Sequence, residues 1–99
     1  MRIIWTDPAI HDLGAARSYI ALDDPRAADK QVGYVLATVM RLAQFPNAGR
    51  AGRRAGTREL VIAKTPFVVI YRVRGEIIDI VRVLHGRQRW PDVATPPGL

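Results

Sequence analysis

The 99-residue chain contains no cysteine, which excludes a disulfide framework, a thiolate nucleophile and a cysteine metal site. Ser18 is its only serine and falls within a predicted helix, so a serine–histidine–aspartate triad has no support. The chain also lacks any apolar run near the roughly 20 residues of a membrane span, and its N-terminal apolar run is too short for a signal peptide. We therefore expect one cytoplasmic domain without a metal, a cofactor or a membrane partner.

Acidic residues are scarce in the second half of the chain, which makes the charge uneven. Residues 1–49 carry five basic and five acidic groups, whereas residues 50–90 carry ten basic and three acidic groups, a net charge of +7. Thirteen of the fifteen basic residues are arginine, which forms forked contacts with phosphate and carboxylate. This half predicts a polyanionic partner, either nucleic acid or an acidic protein segment. The alternative is a basic surface that serves only solubility.

The N-terminal segment predicts a short strand followed by a helix. Residues 2–5, RIIW, form the strand-like run, and Thr6 or Asp7 is a suitable N-cap with Pro8 at the first helical position. This helix should end near Leu22. Its apolar face, with one arginine whose stem can lie along it, consists of Ile10, Leu13, Arg17 and Ile20.

A second helix is predicted from the repeated start signal at Asp24 and Pro25. Pro46 should close it, and the short break between the helices predicts an antiparallel hairpin. Helical spacing marks one apolar face at Val32, Val35, Leu36, Val39, Leu42 and Ala43.

The second half predicts a loop followed by three strands. Residues 47–56 are small residues and arginines, and such a loop is mobile unless something holds it. Strand-forming runs follow at 57–63, 67–73 and 77–85, with a tight turn at 74–76. The order β-α-α-β-β-β predicts an α+β fold in which an N-terminal strand and a helical hairpin pack on a twisted antiparallel sheet. We expect a single domain over residues 1–91 and a loose, proline-rich tail over 92–99.

Arginine and histidine interrupt the apolar strands at Arg72, Arg82 and His85. Burying an arginine without a partner is costly, so these side chains should pair with Glu59 or Asp79, reach a groove or end a strand. Alternation places Arg82 on the same face as Ile78 and Ile80. The last strand should be interior, since both of its faces are apolar. Arg82, His85, Arg87 and Trp90 should meet at its end.

This group has the chemistry for cutting RNA without a metal. His85 can act as base or acid near neutral pH, and arginines can stabilise the extra charge on phosphate. Trp90 or Tyr71 can stack on a splayed base. His11 is interpreted as a surface residue. The cationic residues in this hypothesis are Arg58, Arg72, Arg82 and Arg87.

Three stretches together resemble the RelE/ParE superfamily of toxins from bacterial type II toxin–antitoxin modules: FPNAGR…GTREL, PFVVIYRV and IDIVRVLHGRQRWP. The similarity spans residues 2–91. It implies a helical hairpin on a twisted sheet and a partner antitoxin that wraps and neutralises the toxin. A basic half would suit an acidic antitoxin segment.

The superfamily divides into ribosome-dependent mRNA endonucleases similar to RelE and DNA gyrase inhibitors similar to ParE. The RelE resemblance assigns catalysis to Arg58, Arg72, Arg82 and His85, but this chain has no lysine-rich stretch before its REL strand and no tyrosine after Tyr71. The ParE pattern, with P..GR and YRV…I.RVLH, fits better.

Gyrase inhibition is therefore the leading hypothesis. An mRNA endonuclease is the alternative, and an inert module that only binds its antitoxin is the second alternative. Whether the chain is an enzyme stays open. Contacts with the antitoxin or the target are expected at Arg50, Arg53, Arg54, Tyr71, Arg87, Arg89 and Trp90.

Overall fold

Two helices cover one face of a five-stranded sheet in the computed structural model, which describes residues 1–85. The sheet order is β1-β5-β4-β3-β2. The elements are β1 Arg2–Trp5, α1 Asp7–Ala21, α2 Pro25–Arg41, β2 Arg50–Ala51, β3 Arg58–Val61, β4 Phe67–Arg74 and β5 Ile77–His85. The predicted order is confirmed, except that the short strand β2 lies within the predicted loop. The end of the predicted domain and the tail at 92–99 lie outside the described residues.

Both helices begin at the predicted caps. Of the two candidates for α1, Thr6 is the N-cap, and its Oγ1 accepts a hydrogen bond from Ala9 N at 3.3 Å. The same hydroxyl donates to Val81 O at 3.0 Å, which ties the helix start to β5. Asp24 caps α2 by accepting from Arg26 N and Ala27 N, both at 3.1 Å. Side chains therefore satisfy backbone donors that a helix start leaves unpaired.

The sheet is mixed: its last three strands form the predicted antiparallel meander, whereas β1 departs from the predicted antiparallel arrangement. β1 runs parallel to β5, with Arg2 opposite Ile77 and Trp5 opposite Ile80, while the other pairs are antiparallel. The physical reason is the connection: the helical hairpin carries the chain across one sheet face between β1 and the meander, as parallel neighbours require. As predicted, β5 is an interior strand.

The main core lies between the helices and the sheet. In α1 the buried face is rotated from the predicted one, because Ile10 is 55% exposed whereas Ala9 is fully buried. Alanine at this position lets the helix approach the sheet closely. In α2 the predicted face is mostly confirmed, although Leu36 stays 42% exposed. The buried core residues are Ala9, Val35, Val39, Leu42, Ile62, Phe67, Val69, Tyr71, Ile78, Ile80 and Val83.

A β-bulge changes which face β5 presents. The register pairs Tyr71 with Ile80 but Ile70 with Arg82, so Val81 is the extra residue. Arg82 is therefore paired with Ile70, which belongs to a second buried cluster. Simple alternation had predicted that Arg82 shares a face with Ile80, and the bulge makes that prediction wrong. The sequence carries no local signal for the bulge.

Candidate functional site

The arginines of β4 form an ion-pair cluster with one buried acid, Asp79. Arg72 Nε lies 3.1 Å from Asp79 Oδ2, and Arg74 Nε lies 2.5 Å from the same oxygen. The hydrogen bond from Arg74, with a smaller one from Arg72, lowers the pKa of Asp79, although burial opposes this shift. The same hydrogen bond raises the pKa of Arg74. Asp79 is one of the two partners predicted for Arg72.

Arg82 is held by Asp12, an acid that the sequence analysis did not select. Arg82 Nε and Nη2 donate to the two carboxylate oxygens of Asp12 at 2.6 and 2.9 Å. Val83 N also donates to Asp12, at 3.0 Å, so this carboxylate joins α1 to β5 beyond the end of β1. The hydrogen bond to Asp12 raises the pKa of Arg82. No sequence pattern links residues 70 positions apart.

Tyr71 is fully buried, so it cannot stack on a base or contact a partner as predicted. Its hydroxyl donates to Pro46 O and accepts from Gly49 N, each at 2.8 Å. Arg58 Nη1 reaches the same segment and donates to Gly49 O at 2.8 Å. Tyr71 and Arg58 therefore fix the chain that leads into β2.

The buried side chain of Glu59 holds the arginine-rich loop through contacts with Arg50 and Arg53. This side chain is 4% exposed, and its Oε2 accepts from Arg53 N at 3.0 Å. Arg50 Nη2 lies 3.4 Å from Glu59 Oε1. Arg54 is exposed, and its carbonyl accepts from Thr57 Oγ1. The sequence predicted a mobile loop unless something holds it, and Glu59 is the residue that holds it.

His85 lies at the rim of a cavity between α1 and the sheet. Its ring packs edge-on against Phe67, with ring centres 6.3 Å apart. The cavity measures ≈ 380 Å³, and His11, Asp12 and Gln31 also line it. His11 is exposed, as predicted for a surface residue, and it lines the same cavity as His85. Gln31 Oε1 is buried and finds no hydrogen-bond partner within residues 1–85.

The residues proposed for RNA cleavage do not converge within the described chain. Arg72 pairs with Asp79 on the sheet face away from the helices, whereas His85 pairs with Phe67 of the helix-side core. The five-residue separation of Phe67 and Arg72 along β4 corresponds to about 17 Å. Three other predicted contact residues, Arg87, Arg89 and Trp90, lie outside the described residues.

Residues 1–85 contain no group of three or more histidine, cysteine or acidic side chains that can hold a metal ion. In the same part of the chain, neither helix has the length and hydropathy needed to cross a membrane.

Known proteins resemble this chain over nearly its whole length. Residues 3–90 match the family described as "ParE toxin of type II toxin-antitoxin system, parDE". The chain is 41% identical to the protein Y4kP of Sinorhizobium fredii, covering 93% of this chain and 95% of that protein. It is 36% identical to Toxin RelE2 of Caulobacter vibrioides, covering 85% and 93%. It is 33% identical to Toxin ParE3 of the same organism, covering 87% of each.

The fold also matches a solved structure titled "Chromosomal ParDE TA system from P. aeruginosa". The TM-score is 0.77 at 33% identity, and the match covers 86% of this chain and 95% of that one.

Proposed function

Because this chain belongs to the ParE toxin family of type II toxin–antitoxin systems, we propose that it arrests growth by inhibiting DNA gyrase through protein–protein contact. Family membership implies an antitoxin partner, which in this proposal neutralises the toxin. Gyrase as the target goes beyond family membership, since similar chains carry both ParE and RelE names.

The internal pairing of the arginines supports inhibition by contact. Arg72 and Arg82 are bound to Asp79 and Asp12, and the side chain of each is only about a quarter exposed or less. An arginine already neutralised by a buried carboxylate is poorly placed to stabilise phosphate charge. Metal-free RNA cleavage needs a base, an acid and such a cation around one phosphate. Residues 1–85 do not bring the predicted set together.

A second candidate function, mRNA cleavage on the ribosome, is favoured by one observation. His11 and His85 line the same cavity, and two histidines can divide the base and acid roles of RNA cleavage. In this alternative the two rings share the proton transfers, whereas the sequence predicted His85 alone as base or acid. Toxin RelE2 is similar at 36% identity, but its name alone does not transfer a target.

Two assays of the purified chain separate the candidates. We expect inhibition of gyrase supercoiling, with an mRNA left intact in a cell-free translation reaction when its ends are mapped by primer extension. The variant H11A/H85A should inhibit gyrase as wild type does. Ribosome-dependent cuts that disappear in H11A/H85A and on adding antitoxin would instead establish the nuclease. Expression that harms no cell and inhibits neither system would leave an inert antitoxin-binding module.

A further inference from the structure

A second groove lies at the opposite edge of the sheet from β1, between the end of α2 and β3. We name it the β3-edge groove and define it by Arg41, Phe45, Ala48, Leu60 and Val61. Its volume is ≈ 320 Å³. Neither histidine lines it, so it is separate from the cavity discussed above.

The backbone of β3 is open beside this groove. β2 pairs only with Arg58 and Glu59. Thr57 O accepts from Gly52 N on the outer side of β3, whereas Ile62 N donates to Phe67 O on the side of β4. Since successive residues of a strand direct their N–H and C=O groups to opposite sides, those of Val61 point outward. Within residues 1–85, no strand pairs with Val61 on this side.

Apolar side chains flank the open backbone. Phe45 is 61% exposed and Val61 is 58% exposed. A partner strand hydrogen-bonded to Val61 would place alternate side chains over this apolar surface, as in recognition by strand addition. The edge is short, so backbone pairing alone would bind weakly, and side-chain contacts must supply most of the affinity.

The charge of this region selects the partner. Residues 41–64 contain six basic residues and a single acid, Glu59, a net charge of +5. Glu59 is buried beneath the loop at 4% exposure, while Arg41, Arg50 and Arg54 are exposed. An acidic segment would be attracted, whereas a second copy of this chain would bring the same positive charge against it. Nucleic acid would match the charge but cannot form a strand ladder with Val61.

We propose that the β3-edge groove docks an acidic, extended segment of the partner antitoxin, which pairs with the backbone of Val61 and places an apolar side chain against Phe45. This inference rests on the toxin–antitoxin function proposed above. Carboxylates of the segment would contact Arg41 and the arginines that Glu59 holds in place. In this proposal, the groove and the arginines beside it together form the surface that binds the antitoxin.

The probe is a short synthetic peptide in which glutamate alternates with valine, titrated into the isotopically labelled full chain and followed by NMR. We expect shifts and slowed hydrogen exchange at the Val61 amide. F45A, and separately R41Q, should each weaken binding about threefold to tenfold. The matched controls are Y19A, an exposed aromatic of α1, and R26Q, an exposed arginine at the start of α2. Both controls should bind as wild type does.

V61P removes the outward N–H without breaking the β4 ladder and should also weaken binding, while V61T should not. Circular dichroism melts show whether each variant is folded, and the Val61 amide of wild type reports on the site without any substitution. The inference is overturned if the peptide leaves that amide unchanged, if a lysine–valine peptide binds equally well, or if a short single-stranded RNA perturbs the same residues as tightly. It is also overturned if the chain self-associates through Val61.

Failure of the function itself has a different readout. If expressing the chain without an antitoxin does not slow growth, the toxin function fails, whatever the result of the peptide titration. If the antitoxin rescues growth and binds F45A and V61P as tightly as wild type, the function stands and this docking site is wrong.

Discussion

At the scale of single residues, three carboxylates fix the positions of the cationic side chains. Asp79, Glu59 and Asp12 are each largely buried and each hold one or two arginines. A buried carboxylate needs such partners because an unpaired buried charge is costly. Arginines that the sequence suggests are free to bind phosphate are therefore paired with carboxylates of the same chain. This pairing makes them less suited to stabilise charge on a bound phosphate.

Replacing Asp12 with asparagine should lower the free energy of unfolding by about 2 kcal/mol, since it weakens the bidentate pair with Arg82 and the bond from Val83 N. Urea denaturation measures the change. The control is D29N, which breaks the pair with Arg17, whose side chains are 50% and 66% exposed. It should cost less than about 0.5 kcal/mol because exposed pairs are screened by water. Equal losses in both variants would contradict the role assigned to Asp12.

The pKa of Asp79 gives stability a predictable dependence on pH. Its hydrogen bonds lower the pKa in the folded state, so the folded protein holds this proton less tightly than the unfolded chain, where the pKa is about 4. The stabilisation is complete above that value and is lost as the pH falls through the folded pKa. D79N should flatten the acid limb of unfolding free energy against pH, and D23N, at an exposed site, should not. An unchanged acid limb in D79N would refute this.

At the scale of elements, close approach of the segment before β2 depends on one glycine. A Cβ built at Gly49 would lie 2.7 Å from Tyr71 Cε1 and 2.9 Å from Glu59 O. The Glu59 contact is backbone and cannot rotate away. The two-residue turn at Gly75, with φ of 59°, is another position where glycine is favoured, and the sequence predicted a tight turn there.

G49A should destabilise the chain by about 1–3 kcal/mol through overpacking, and speed hydrogen exchange in β2 by detaching it from β3. G33A is the contrasting change: nothing lies within 4 Å of its Cβ, and alanine in a helix interior should add about 0.5–1 kcal/mol. Thermal melts and native-state exchange test both. Should G49A melt as wild type does, the packing of Tyr71 against this glycine would be of no consequence.

At the scale of the whole molecule, two separate concave surfaces lie at different places on the fold. The α1–β5 cavity with His11 and His85 lies on one side of the helices, and the β3-edge groove with its arginines lies beside the end of α2. In the proposals above, the β3-edge groove binds the acidic antitoxin segment, and the α1–β5 cavity has a catalytic role in the nuclease alternative alone.

Association with the antitoxin should therefore depend strongly on salt. We expect the association rate to fall by at least about tenfold as ionic strength rises from about 0.01 M to about 1 M, while dissociation changes less. R54Q should reduce the salt dependence, and R26Q should change it little. Stopped-flow mixing gives both rates. A rate that does not change with salt would exclude electrostatic steering by the arginine-rich loop.

The sequence by itself determined the helices, the strands other than β2, and their order. Caps at Thr6 and Asp24, helical spacing in α2, and the glycine turn at 75 act through residues a few positions apart, so local patterns reveal them. The uneven charge is likewise a property of composition. The order of the elements predicted helices packed on a sheet, and the resemblance to the toxin superfamily implied the same arrangement; the structure confirms it, with one parallel strand.

Only the tertiary structure decided what the charged and polar residues do. Asp12 meets Arg82 across 70 positions, His11 joins His85, and Tyr71 is turned inward. The bulge at Val81 shifts the alternation of β5. Each of these depends on which elements become neighbours and on how close they can approach, and that is set by packing of the whole chain.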